Sequence, residues 1–175
     1  MSTKITSINY CPVKSVSFQS VKNCKIKKNI GIIGDRIFAF AKDLDTEQAK
    51  LFEKSPEERK GKWNKVLTLK NSPALNKYNF IFEDEKLILT AKDKEILSID
   101  INQSREREAL SNQISELESS LKQPITLMKN DNFPFFDTSI SKKVDFVNSV
   151  SLLNIQSIND FEKKVLPRLK TETEF

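Results

Sequence analysis

Histidine is missing from all 175 residues. Its absence removes Ser-His and Cys-His catalytic pairs, His-Glu-x-x-His zinc sites and imidazole-based proton transfer from this chain. Cysteine is almost as scarce. Cys11 and Cys24 are too few and too far apart for a zinc ribbon or a Cys-x-x-Cys redox pair, so two buried thiols are expected. Arginine supplies only five of the 29 basic residues: Arg36, Arg59, Arg105, Arg107 and Arg168. The net charge of +5 and the pI near 9.1 therefore rest on scattered lysines. Only Lys22, Lys25, Lys27 and Lys28 cluster, with no interleaved aromatics to stack on bases, so a solvated edge strand or turn is expected and nucleic-acid binding is not. No apolar run reaches the roughly 18 to 20 residues that span a bilayer. The opening "MSTKITSINY" has neither the basic region nor the apolar core of a signal peptide. A cytoplasmic protein without a membrane partner is the expectation.

What is present suits a folded domain. Apolar residues make up 38% and charged residues 30%, too apolar for wholesale disorder. The first forty residues read as strands, in "KITSINY", "SVKNCKI" and "RIFAFA". Residues 45–60 have helical composition with Pro56 as a break, and "KVLTLKNSPALNKY" resumes an extended pattern as far as Ser72-Pro73. "YNFIFEDEKLILTAKDKEILSIDI" reads as three strands joined by the charged turns "EDEK" and "AKDK", an antiparallel meander.

From Asn102 the pattern changes to one amphipathic helix, with Leu110, Ile114, Leu117 and Leu121 as a stripe, Ser104 as N-cap and Pro124 beyond its end. Four apolar positions suit packing on a sheet better than a coiled coil. "PITLM" is a further strand, "KNDNFPFFDTSISKK" a loop, and "VDFVNSVSLLNIQSINDFEKKV" a short strand followed by helical segments. The expected class is α+β, mainly β, a β-barrel-like antiparallel sheet with a few packed helices.

Glycine is the scarcest of the turn formers, and two of the three stand in "NIGIIGDRIFAF". Read as a strand from Asp35, that stretch puts Arg36, Phe38 and Phe40 on one face. An arginine on an aromatic face calls for an anion, because it cannot shed its proton. Asp35 alternates to the other face and is a poor partner, whereas a distant carboxylate such as Asp137 could serve. Gly31 and Gly34 permit a tight turn with positive φ and open backbone N–H groups. These residues alone leave a structural turn and an anion site both open. "YCPVKS" ends the first strand, where Pro12 stiffens the chain and Lys14-Ser15 presents an ammonium and a hydroxyl from a loop.

Together, "ITSINYCPVKSVSFQSVKNCKIKKNIGIIGDRIFAF" resembles the N-terminal β-barrel domain of the MOSC family, named after the C-terminal domain of molybdenum cofactor sulfurase. The shared features are a strand, Tyr then Pro-Val-Lys-Ser with Cys11 inserted between, a second strand, Gly-x-x-Gly-Asp-Arg and an apolar strand. "TLKNSPAL" resembles a later family segment, and "FFDTSISKKVDFVNSVSLLNIQSI" the entry to the MOSC domain proper. The resemblance implies a β-barrel-like unit over 1–130 and the start of a MOSC domain over 131–175.

It also implies a molybdenum cofactor, whose pterin phosphate Lys14, Ser15 and Arg36 would contact, with Ser149 and Ser151 as further anion donors and Gly31, Gly34 and Asp35 supporting the site. Pyridoxal phosphate binding is also attributed to the family that the chain resembles. Members such as the amidoxime-reducing component reduce N-hydroxylated compounds, and others carry sulfur, which implies an electron-transfer protein as a partner. The family's Arg-Phe-Arg-x-Asn motif and its metal-ligating cysteine do not occur before Phe175, and Cys11 and Cys24 lie in the wrong region. A truncated or split protein without a metal ligand is therefore expected. The competing expectation is a non-catalytic interaction module whose Arg36 is paired internally.

Overall fold

The computed structural model of the chain describes residues 4–28, 30–121, 124–136 and 153–164. Its clearest unit is the meander of β6 (Tyr78–Glu83), β7 (Lys86–Ala91) and β8 (Lys94–Asp100), paired in the order β6-β7-β8. Opposed pairs Phe80 with Leu89, Phe82 with Leu87 and Leu87 with Ile99 place the apolar side chains on one face. Both connections contain two residues with positive φ, Asp84 and Glu85 in one and Lys92 and Asp93 in the other. That is what type I′ hairpin turns require, and aspartate tolerates it. The expected meander and its charged turns are thus present.

Shorter strand pairs and helices accompany this unit. β1 (Ile8–Tyr10) pairs with β2 (Gln19–Val21), and β3 (Ile26–Lys27) pairs with β4 (Gly31–Ile32). Lys22, Lys25, Lys27 and Lys28 are all exposed there, as a solvated edge would have them. β5 (Phe38–Lys42) pairs with β9 (Ile125–Lys129) and is buried on both faces. Phe38, Phe40, Ile125 and Leu127 join the meander in one core. Ala39, Ala41 and Met128 join Phe52, Val66 and Phe135 in the other. The small alanines leave room for α1 (Thr46–Lys54), which Asp45 caps by accepting the Gln48 N–H at 2.8 Å.

α2 (Ser104–Leu117) lies against β9 and β8, with Leu110 and Ile114 inward. Two details of the expected helix change. Gln103 occupies the cap position and makes no side-chain cap bond, while Ser104 is the first helical residue. Leu117 is 39% exposed and drops out of the stripe, although Leu121, past the helix end, still packs on the core. Ser111 instead contributes, donating to the Arg107 carbonyl and accepting the Leu127 N–H at 3.0 Å. α3 (Ile155–Lys164) has no buried residue, and the expected strand before it lies outside the described residues.

The extended pattern expected after residue 64 is overturned. Residues 63–77 form two 3-10 turns, Trp63–Lys65 and Pro73–Lys77, with one isolated bridge between Val66 and Ala41. Asn71 explains the change: its side chain accepts the Thr68 N–H and donates to the Val66 carbonyl, replacing ladder bonds with local ones.

Among the described residues the sheets stay separate rather than closing into a barrel. The outer edge of β6 shows why: side chains, not a strand, meet its backbone. Ser17 Oγ accepts the Phe80 N–H at 2.8 Å, the Gln19 amide accepts the Phe82 N–H and donates to its carbonyl, and Tyr10 donates to that carbonyl at 3.3 Å. Barrel-like holds only in this loose sense.

A buried carboxylate pins the base of the meander. Glu118 accepts the Tyr78 hydroxyl at 2.7 Å and pairs with Lys77, its own side chain being 5% exposed. Burial alone would raise its pKa, but the bonds from Lys77 and Tyr78 hold it below the ordinary carboxylate value. A depressed folded-state pKa gives stability that is complete above the unfolded value and lost as pH falls toward the folded one. Urea midpoints taken from about pH 6 to about pH 3 should therefore fall less steeply in Glu118→Gln than in the wild type.

Candidate functional site

Three pieces of chain meet at the residues the sequence singles out. The loop 11–16 lies on one side of the segment 36–38, and the loop 130–136 on the other. Arg36 N–H donates to the Cys11 carbonyl at 2.6 Å, Phe38 N–H to the Pro12 carbonyl at 3.1 Å, and Lys14 N–H to the Phe38 carbonyl at 2.8 Å. Opposite, Phe135 N–H donates to the Arg36 carbonyl and Asn130 N–H to the Ile37 carbonyl, each at 2.8 Å. Lys14, Ser15 and Arg36 are thereby brought into one neighbourhood.

Two glycines shape this region, Gly31 at the start of β4 and Gly34 in the turn between β4 and β5. Gly31 and Gly34 have φ of 90° and 94°. A methyl group on Gly34 would stand 3.2 Å from the Tyr10 ring, so Gly34 also serves the packing of β1 onto the turn. Ser15 and Arg36 hold positive φ as well, 59° and 53°, without that freedom. Such backbone strain persists only where the surroundings fix it, as these clamps do, and it clusters at functional sites.

The alternation expected from Asp35 is overturned. β5 begins at Phe38, and the left-handed Arg36 precedes it, so Arg36 does not share the strand face of Phe38 and Phe40. Asp35 is the immediate partner after all, its Oδ2 lying 3.5 Å from Arg36 Nη1. Its other oxygen accepts the Cys11 N–H at 2.9 Å, which ties the turn to the loop. The Arg36 guanidinium lies 5.2 Å from the centre of the Phe136 ring, a cation–π arrangement. Among the described residues it donates no side-chain hydrogen bond, although it carries five N–H donors and its side chain is 35% exposed.

Lys14 also departs from expectation, for it is buried, at 6% exposed, and not held out from the loop. Ser15 beside it is half-buried. Of the two thiols only Cys11 is buried, while Cys24 is half-exposed. Cys11 donates to the Val13 carbonyl at 2.9 Å, and burial pushes its pKa up, which disfavours the thiolate. Ser149, Ser151 and Asp137 lie outside the described residues.

Arg59 is the residue sequence reasoning misses. It is 2% exposed and donates to the carbonyls of Phe52, Glu53, Phe133 and Pro134 at 2.7 to 3.3 Å, with its guanidinium carbon 4.0 Å from the Phe135 ring centre. Burial lowers its pKa to about 10, with Glu53 opposing, so it stays charged at neutral pH. The one signal in the sequence is its place just beyond the C-terminal end of α1, where cations meet open carbonyls.

An open groove of about 690 Å³ runs along the capped edge of β6, lined by Tyr10, Phe18, Gln19, Lys22, Phe82 and Asp93 among others. Neither Lys14, Ser15 nor Arg36 lines it. It is an open trough of mixed polarity, apart from these residues. Among the described residues no group of acids and cysteines could hold a metal ion, and no helix is long and apolar enough to cross a membrane.

Mainly antiparallel strands with a few packed helices define an α+β fold. Residues 2–125 match the MOSC N-terminal beta barrel domain, more than two thirds of the chain, and the protein belongs to the MOSC family. No curated protein and no solved structure matches the chain. The family is associated with the molybdenum cofactor. Among the described residues, the part-exposed Arg36 is the group whose chemistry suits the phosphate end of that cofactor, whereas no group of acids and cysteines suits its metal end.

Proposed function

We propose that the loop 11–16 and the turn 34–36 receive the phosphate of a molybdenum cofactor's pterin, with Arg36 as the main contact and Lys14 and Ser15 beside it. The observation that carries this reading is the state of Arg36: a left-handed, clamped backbone carries a part-exposed guanidinium that, among the described residues, donates no side-chain hydrogen bond and has Asp35 as its one carboxylate neighbour. A phosphate oxyanion is the acceptor a planar fork of donors takes best. Gly31, Gly34 and Asp35 hold the turn in shape, and Ser149 and Ser151 are proposed as further donors.

When bound, the cofactor supplies redox or sulfur-transfer chemistry at molybdenum, as in relatives that reduce N-hydroxylated compounds. The chain's own residues bind and orient the phosphate, and the ligand to the metal is proposed to come from outside this set. The reading divides the chain into a barrel-like unit over 1–130 and the start of a MOSC domain over 131–175. It takes the protein as cytoplasmic, with a small-molecule cofactor and an electron-transfer protein as partners. Pyridoxal phosphate would use the same contact. The 3.5 Å approach of Asp35 favours a second reading, a non-catalytic module in which Arg36 is paired internally.

Thermal melting in inorganic phosphate separates the two. Binding to the native state alone stabilises by about 2.7 kcal/mol at a hundredfold excess over Kd. The wild type should melt higher as phosphate is added, and Arg36→Ala should fold but show no such rise. If phosphate protects neither protein and Arg36→Ala does not fold, the internal pairing is the role of Arg36.

A further inference from the structure

Arg36 is not placed by its own turn alone. Its left-handed backbone is held on one side by the Cys11 carbonyl and on the other by the Phe135 N–H. Its guanidinium rests near the Phe136 ring. Both of the latter contacts belong to the loop 130–136, which carries no secondary-structure ladder of its own after Lys129. Beside its backbone bonds to Arg36 and Ile37, that loop is tied to the end of α1 by Arg59. The guanidinium donates to the Phe133 carbonyl at 2.7 Å and the Pro134 carbonyl at 3.3 Å, and covers the Phe135 ring. Its remaining donors go to the Phe52 and Glu53 carbonyls at the end of α1. Asn130 adds a second attachment, donating to the Glu53 carbonyl.

We propose that Arg59 is a positioning residue for Arg36: by locking residues 133–135 to the end of α1, it sets the backbone clamp and the aromatic ring that hold the Arg36 guanidinium where an anion meets it. This rests on the reading of Arg36 as the phosphate contact. Lysine at position 59 keeps the charge but has no planar fork, so it cannot serve two loop carbonyls and two helix carbonyls at once. The fold then keeps its cation while the loop loses its fixed distance from Arg36.

The test compares the full-length wild type with Arg59→Lys by NMR of the backbone amides and the Arg36 Nε–H, with and without inorganic phosphate. In Arg59→Lys the Arg36 Nε–H should lose the ring-current shift from Phe136, the Phe135 amide should exchange faster, and phosphate affinity should fall at least about fivefold. An unchanged Arg36 Nε–H and Phe135 amide in folded Arg59→Lys overturns the proposal. Should Arg59→Lys not fold, Phe135→Leu removes the ring under Arg59 instead. The Arg36 Nε–H should then move, and its staying put overturns the proposal equally. If the wild type binds no phosphate, the phosphate reading fails, while the spectra without phosphate still decide whether Arg59 positions Arg36.

Discussion

Arg59→Ala should lower the stability of the chain by about 3 kcal/mol or more, a large part of what a domain of this size has to lose. The reason is the loss of one side chain that answers four carbonyls at once, two at the end of α1 and two in the loop 130–136. A buried carbonyl left without a donor costs on the order of 1–3 kcal/mol, partly relieved where water enters, while the Glu53 and Pro134 carbonyls each keep another donor, from Asn130 and the Phe136 N–H. The Phe135 ring also loses the cation that covers it. Urea unfolding should show a lower midpoint at an unchanged slope. A loss under about 1 kcal/mol would mean the loop is held by Asn130 and the Phe135 core contacts alone.

Phe38→Ala should be as costly, about 3–5 kcal/mol. Phe38 is fully buried, meets the Phe82 ring edge-on at 5.3 Å, and lies in the core that joins β5 to the meander. Its backbone also carries the loop 11–16, through the Pro12 carbonyl and the Lys14 N–H. Truncation leaves a cavity at the point where the candidate site joins the core. Phe38→Leu, which keeps most of the volume, should cost about 1 kcal/mol. Phe18→Ala, at a ring that is 77% exposed, should stay within about 0.5 kcal/mol of the wild type, which makes it a control for aromatic loss as such.

The parts of the fold written as a period are the parts the sequence discloses. The meander alternates, its turns carry aspartate at left-handed positions, and α2 repeats Leu110 and Ile114 at helical spacing. Residues 63–77 carry strand-like letters but are turned by the Asn71 side chain, a local bond that hydropathy does not encode. The strand face drawn for Arg36 fails for a related reason. Alternation counts from the first extended residue, and a left-handed Arg36 moves that start to Phe38.

The site is half legible in the same sense. Gly31 and Gly34 announce positive φ, and Pro12 with Lys14 marks the companion loop. The burial of Lys14 and the closeness of Asp35 to Arg36 depend on how that loop and turn are tied together. Arg59 is hidden more deeply. In "SPEERK" it reads as one charge among several on a solvated turn, and only the return of residues 130–136 past the end of α1 buries it. Of the two arginines, the one that sequence reasoning expects to be buried against aromatics is the half-exposed Arg36, and the one that is so buried is Arg59.

The central claim is that Arg36 and its companion loop take the phosphate of a pterin cofactor. Pterin retention tests it most directly: the full chain is mixed with molybdenum cofactor, separated from free cofactor by gel filtration, and the fluorescence of oxidised pterin is read in the protein peak. The wild type should retain near-stoichiometric pterin and Arg36→Ala at least about tenfold less, while both elute as folded protein. Equal retention by the two proteins, or none by the wild type, would contradict the account.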